Sequence, residues 1–357
     1  MTPFYDPLRS YEDNYANGPF GAFAEPGVAA VAPPAERFLG RPVHRAFGIP
    51  AGPLVNAAFC AAAFRHGYDV NVYKTVRTRS HPSHPFPNTL RVHVGGDLSL
   101  ETARGAMLAD ADFRGTASIS NSFGVPSRDP DEWQPDMAAA VAAAGDGQLL
   151  VGSFQGTHPA PGAADRVSAY VADHVAAASL VVETGAPVLE MNLSCPNEGT
   201  ADLLCFDTAA VVRIAGAIKE KVGDVPLLLK LAYFADDSAL AALVHATAGI
   251  VDGYAAINTI PARLVDAAGR PALPGPGREV AGVCGDAIRW AGLEMVRRLA
   301  RLRDDAGAGF AIVGVGGVME ASHHLAMRAA GADAVMSATG AMFRPGLGAE
   351  VRAARGA

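Results

Sequence analysis

Eight short apolar runs alternate with alanine-rich helical stretches along most of this chain, and no other feature narrows its fold as far. The runs are Ala46–Ala51, Asp69–Tyr73, Gln148–Ser153, Pro187–Met191, Pro226–Leu231, Gly253–Ile257, Phe310–Val315 and Ala334–Ala338. A strand that is apolar along its whole length, rather than at every second position, is buried on both faces, as in a parallel sheet. Helical patterns lie between the runs, at Ala57–His66, Asp165–Thr184, Thr208–Val222, Ser238–Thr247, Asp286–Asp305 and Met319–Ala330. This α/β alternation, unbroken by any acidic or serine-rich linker, predicts one closed (β/α)8 TIM barrel over residues 41–357. An open doubly wound sheet is the alternative. The count of eight and the polar residues that follow the strands favour the barrel. Residues 1–40 show little periodicity and are expected as an N-terminal extension packed on the barrel through Phe4, Tyr5, Tyr11, Tyr15, Phe20 and Phe23.

Composition removes several function classes. A net charge of −7, with no basic cluster, argues against a nucleic-acid partner. No apolar segment approaches the roughly 18 residues of a membrane span, and the N-terminus has no signal-peptide core, so a soluble cytoplasmic protein is expected. Cys60, Cys195, Cys205 and Cys284 form no close pair, and a chain of 357 residues builds its core without a disulfide framework. The ten histidines show no matched ligand spacing, so no metal site is expected. His323 and His324 are adjacent, so on a helix they point in different directions; a solvated helix surface is the expectation for both.

Polar residues gather where the strands end. Ala51-Gly52 follows the first run, Lys74-Thr75 the second, and Asn192 to Asn197 the fourth. Lys230 lies near the end of the fifth, and Asn258-Thr259 follows the sixth. The carboxyl end of a parallel barrel is where such proteins do chemistry. Pro196 holds Cys195 in an extended loop, with Asn192 and Asn197 on either side. A buried lysine is costly unless paired, so Lys74 and Lys230 together point to an anionic or electron-rich ligand. The connection between Tyr73 and Leu149 is long, and long loops in compact domains are usually functional or mobile; this one is expected over the active face. In the last third, Gly282-Val-Cys-Gly285, Gly314-Val-Gly-Gly317 and Ala338-Thr339-Gly340 converge as a phosphate cradle, since glycine lets backbone N–H groups approach phosphate oxygens.

These residues resemble a known family. Asn192-Leu-Ser-Cys-Pro-Asn197, Ser120-Asn-Ser-Phe-Gly124, Lys74-Thr75 and Ile312-Val-Gly-Val-Gly-Gly317 are similar, in order, to dihydroorotate dehydrogenases and to the related domain of dihydropyrimidine dehydrogenase. The resemblance runs from about residue 40 to the C-terminus. It implies a barrel that carries FMN at the carboxyl face of its strands and oxidises a dihydropyrimidine, with Cys195 as the general base of a class 1-like enzyme and Lys74 between substrate and flavin. It further implies substrate contacts from Lys74, Asn121, Phe123, Gly124, Val125, Asn192, Asn197, Asn258 and Thr259. FMN contacts would come from Ala51, Gly52, Lys74, Thr75, Asn121, Asn192, Lys230, Asn258, Gly285, Gly316, Gly317, Ala338 and Thr339. A homodimer is expected on the same ground, with fumarate or an electron-transfer partner as acceptor.

The chain also departs from the family. After Asn197 it reads Glu-Gly-Thr-Ala-Asp-Leu-Leu-Cys-Phe-Asp207, in place of the loop that covers the substrate in its relatives. Cys284 stands where serine is common, and Arg289 where lysine is common. These changes leave open a paralogue that acts on another dihydropyrimidine or cyclic amide or acid. A tRNA dihydrouridine synthase, also a flavin barrel with cysteine beside proline, would carry a basic surface, which the charge balance opposes.

Overall fold

The structure, a computed structural model, describes residues 2–27, 33–159, 165–194 and 203–354. Helix α1 (Tyr11–Asn17) starts at Ser10, whose hydroxyl accepts the Asp13 N–H. The antiparallel pair β1 (Glu36–Phe38) and β2 (Arg41–Val43) precedes the barrel. Strand β3 (Phe47–Gly48), helix α2 (Ala57–Arg65) and strand β4 (Val70–Val76) follow. The long connection then contributes β5 (Arg91–Val92), β6 (Ala106–Asp110), β7 (Ser118–Asn121) and helix α3 (Pro130–Ala142). Regular alternation resumes with β8 (Leu149–Phe154), α4 (Arg166–Glu183), β9 (Val188–Asn192), α5 (Thr208–Val222), β10 (Leu227–Leu231), α6 (Asp237–Thr247) and β11 (Gly253–Ala256). A second excursion forms β12 (Ile260–Val265) and β13 (Val280–Gly285), before α7 (Arg289–Ala306), β14 (Ala311–Val315), α8 (Ala321–Ala329) and β15 (Ala334–Met336) complete the series.

All eight predicted runs form one parallel sheet, in the order β3-β15-β14-β11-β10-β9-β8-β4. The sheet curls until β3 meets β4. There the Asp69 and Val72 N–H groups donate to the Phe47 and Ile49 carbonyls at 2.7 and 2.9 Å. The buried Asn71 amide completes the seam, accepting from Ile49 N–H at 3.1 Å and donating to the Tyr68 carbonyl at 2.9 Å. The barrel interior is a separate apolar cluster built from alternate residues of successive strands: Val70 and Val72, Leu149 and Val151, Val188, Leu228, Ala255, Val313, Ala334 and Met336. Phe38 and Val43, from the β1–β2 pair, join that cluster and plug its amino end. A larger cluster fills the layer between strands and helices.

Four features differ from the sequence reading. The 74–148 connection is not plain loop: β5, β6 and β7 join β12 and β13 in a second, closed five-stranded sheet. Those strands are short and mixed in polarity, so they carried no apolar-run signal. Helices α1 and α3 also went unread, although Ser10-x-x-Asp13 and Asp129-Pro130 are both helix-start signals. The second barrel strand runs on through Val76, so Lys74 and Thr75 lie inside it rather than after it. Finally, His324 is not solvated. It is buried on α8 with its ring edge-on to Phe47 at 5.3 Å, while the half-buried His323 accepts from the Met319 N–H. Burial and the nearby Arg328 and Arg45 charges push the His324 imidazole down to about 4, so it sits in the core as a neutral ring.

The N-terminal segment lies against this body. Phe4, Tyr5, Tyr11 and Phe23 are buried, and Phe4 stacks on Phe23 at 4.3 Å. Buried Asn14 accepts from the Asp6 N–H and donates to the Asp6, Arg9 and Ser10 carbonyls. Among the described residues, no helix is long and apolar enough to cross a membrane.

At the seam the two backbones approach closely. A Cβ at Gly48 would collide with the Val70 carbonyl, a backbone atom that no rotamer change can move. Gly48→Ala is expected to lower unfolding stability by about 3 kcal/mol through overpacking, read as a fall in the urea midpoint without a change in slope.

Candidate active site

Strand alternation carries the barrel interior upward into a polar layer. Residues two apart on a strand share a face. Lys74 therefore continues the Val70–Val72 column, Ser153 continues Leu149–Val151, Glu190 and Asn192 continue Val188, and Lys230 continues Leu228. Register agrees, with Ser153 beside Glu190 and Lys230 beside Asn192 on neighbouring strands. The apolar plug thus ends in a floor of two lysines, one carboxyl group, a hydroxyl and an amide.

Above that floor is a cleft with about 1090 Å³ of empty space, part of it open to solvent, on the scale of ligand pockets of roughly 300–1,000 Å³. Ala51, Gly52, Lys74, Thr75, Asn121, Phe123, Gly124, Val125, Asn192, Lys230, Asn258, Thr259, Ala338 and Thr339 line it. A smaller cavity adjoins it, lined by Gly285, Gly316 and Gly317 and sharing Asn258, Cys284, Ala338 and Thr339 with the first. Every described site residue named from the sequence therefore borders one of two connected spaces. Cys195 and Asn197 lie outside the described residues.

The floor is electrostatically tense. Glu190 is 0% exposed, and neither carboxylate oxygen meets a hydrogen-bond partner among the described residues. Burial pushes its pKa up, opposed by the Lys230 ammonium. Burial in turn pushes Lys230, 5% exposed, down, opposed by Glu190. Lys74 is 8% exposed and directs its Nζ toward the Thr75 carbonyl at 3.4 Å. Neither lysine snorkels to bulk water.

The amides are fixed in orientation. Asn192 Nδ2 donates to Gln155 Oε1 at 2.8 Å, and its Oδ1 accepts from the Ser194 hydroxyl at 3.2 Å. Asn258 Nδ2 donates to the Ser194 carbonyl at 2.9 Å, which leaves its Oδ1 as a ligand acceptor. In the smaller cavity the Thr339 hydroxyl is buried beside the Cys284 thiol. Cys284 donates to the Ile119 carbonyl, and burial raises its thiol to about 11, so it is no nucleophile at neutral pH.

Two buried guanidinium groups hold the 121–127 wall. Arg77 Nε donates to the Val125 carbonyl at 3.0 Å. Arg278 makes five bonds of 2.7–3.1 Å, to the Ser122 hydroxyl and to the carbonyls of Ser122, Pro85, Pro87 and Pro274. Sequence reading gave no site role to Arg278, Gln155 or Glu190, and gave Tyr5 only a packing role in the N-terminal extension. Glu190 could have been found, since it lies two residues before Asn192 on one strand and so shares its face. Gln155 likewise follows Ser153 by two residues at the end of β8, whereas Arg278 and Tyr5 reach the site through pairings distant in sequence.

A closed parallel barrel with buried lysines, a buried carboxylate and oriented amides at its carboxyl-end mouth has the architecture of a barrel enzyme. Comparison with known proteins narrows this. The family model for dihydroorotate dehydrogenase matches residues 121–350. A dihydroorotate dehydrogenase of Dictyostelium discoideum is 31% identical over 357 residues, covering 96% of this chain and 95% of that protein. The catalytic subunits of dihydroorotate dehydrogenase B (NAD(+)) from Thermodesulfovibrio yellowstonii and Solidesulfovibrio magneticus are 32% and 30% identical over 182 and 167 residues. Those matches cover 48% and 46% of this chain and 55% and 52% of the two subunits. The chain belongs to the dihydroorotate dehydrogenase family, oxidoreductases that act on CH–CH groups.

Removing one charge from the floor tests its balance. In Lys230→Met, Glu190 is left buried without its counter-charge, and its already raised pKa rises further. A carboxyl whose folded pKa exceeds its unfolded value of about 4.3 keeps a proton that the unfolded chain releases, so stability relative to the parent falls as pH climbs through that interval. The expected loss near pH 8 is about 3 kcal/mol and smaller at pH 5, with most of it recovered in the Lys230→Met, Glu190→Gln double variant. Urea denaturation at the two pH values reads all three.

Proposed function

We propose that this protein oxidises dihydroorotate to orotate, in pyrimidine biosynthesis, with FMN as its cofactor. The observation that carries this reading is a cleft with a polar floor joined to a glycine-lined cavity that holds the buried Thr339 hydroxyl.

The residues present fit the cofactor. Gly285, Gly316 and Gly317 have φ of +100°, +123° and +69°, which glycine alone adopts freely. A Cβ at 317 would collide with the Arg289 side chain and backbone. The Thr339 hydroxyl, buried beside them, is a donor suited to a phosphate oxygen. These residues and Ala338 would hold the phosphate. Ala51, Gly52, Lys74, Thr75, Asn121, Asn192, Lys230 and Asn258 would hold the ring and its chain.

When bound, FMN supplies the acceptor for the hydride that leaves one carbon of the dihydropyrimidine. Cys195, as thiolate, takes the proton from the adjacent carbon. Asn121, Asn192, Asn197, Asn258 and Thr259 orient the substrate ring, the Asn258 Oδ1 accepting from a ring N–H. Phe123, Gly124 and Val125 form the wall that keeps it in plane. Lys74 and Lys230 set positive charge where negative charge grows during the two-electron transfer. The acceptor is fumarate or an electron-transfer partner, and the working unit is a cytoplasmic homodimer with residues 1–40 packed on each barrel.

The altered 198–207 segment, Cys284 and Arg289 favour one second reading, a paralogue that takes another dihydropyrimidine or cyclic acid. Anaerobic titration of the purified protein with dihydroorotate and a panel of such compounds separates the two. Bleaching of the flavin absorption by dihydroorotate supports the first, and bleaching only by another compound supports the second. Cys195→Ala is expected to retain FMN but to slow bleaching by about 100-fold or more. In the parent the rate should climb toward alkaline pH, following a thiol with an ordinary pKa near 8.5. A variant as fast as the parent would remove Cys195 from the reaction.

A further inference from the structure

The N-terminal segment delivers a side chain to the cleft that no motif announces. Tyr5 is 3% exposed, lines the cleft, and packs edge-on to Phe123 with ring centroids 5.7 Å apart. Its phenolic oxygen is buried and has no hydrogen-bond partner among the described residues. An unsatisfied buried hydroxyl destabilises a protein, and phenylalanine would fill the same volume without that cost. The backbone is also pinned on both sides of Tyr5. The Phe4 carbonyl accepts the Phe20 N–H at 2.9 Å, and Asn14 binds both the N–H and the carbonyl of Asp6.

We propose that Tyr5 Oη donates a hydrogen bond to an acceptor oxygen of the bound dihydropyrimidine, which makes the N-terminal segment part of the substrate site. The assignment rests on the function proposed above. Burial, followed by the neighbouring Tyr11, Glu12 and Asp6, holds the phenol well above its ordinary pKa, so it stays a donor across the physiological range. The acceptor is either a ring carbonyl or the ring carboxylate, and two product-like probes distinguish them: orotate carries both, uracil only carbonyls.

The test compares the Tyr5→Phe holoenzyme with the parent. Kd values for orotate and uracil are read from the perturbation of the flavin spectrum, and melting temperature is measured without ligand. Tyr5→Phe should melt at or above the parent temperature, because it loses an unpartnered hydroxyl, while binding orotate about 10-fold more weakly. Weakening for orotate alone identifies the carboxylate; equal weakening for uracil identifies a carbonyl. Unchanged Kd values in a variant whose parent binds orotate overturn the assignment. So does a clear drop in melting temperature, which would reveal an internal partner for Oη. A parent that binds neither probe overturns the proposed function itself, and the Tyr5 assignment falls with it.

Discussion

The two-residue repeat of a strand governs this molecule. It fixes which side chains face the barrel axis, and the same columns supply both the apolar plug and the reactive floor. Along β4, valine at 70 and 72 gives way to lysine at 74; along β9, valine at 188 gives way to glutamate and asparagine. Core and site are consecutive storeys of one stack, so a one-residue slip in register would empty the plug and the floor together.

That stacking explains the cost of the floor. Glu190 and Lys230 are each disfavoured by burial and each eased by the other, while Lys74 sits in the same layer. Packing alone would prefer aliphatic residues here, as in the layers below. Two lysines and one carboxyl give the floor more basic than acidic groups, which suits the anionic chemistry proposed for the cleft. The chain Gln155–Asn192–Ser194–Asn258 then fixes what each amide offers above it.

The barrel was legible because its strands are buried on both faces, which gives continuous apolar runs that local reading detects. Helix α5 matched from end to end, with Asp207 capping its start and Gly223 its finish. The five-stranded second sheet was not legible. Its members are two to six residues long, and the pairings that join its two halves, β6 with β12 and β7 with β13, span more than a hundred positions, a relation that no window of sequence contains. His324 misled for a related reason, since its neighbours on the helix do not reveal that Phe47 waits opposite. Site residues at strand ends could be named in advance because the architecture dictates where they meet. Glu190 shares its strand face with Asn192, whereas Tyr5 reaches the cleft only through the path of the N-terminal segment.

Arg278 spends its five bonds on four main-chain carbonyls and a single serine hydroxyl, and three of those carbonyls belong to prolines. Such a clasp senses the route of the backbone and is almost indifferent to which side chains decorate it. Neighbouring positions in the two long excursions are therefore free to drift over evolutionary time while the rim of the cleft keeps its shape. A lineage built this way could change what it accepts by swapping decoration alone, with no need to rebuild the frame.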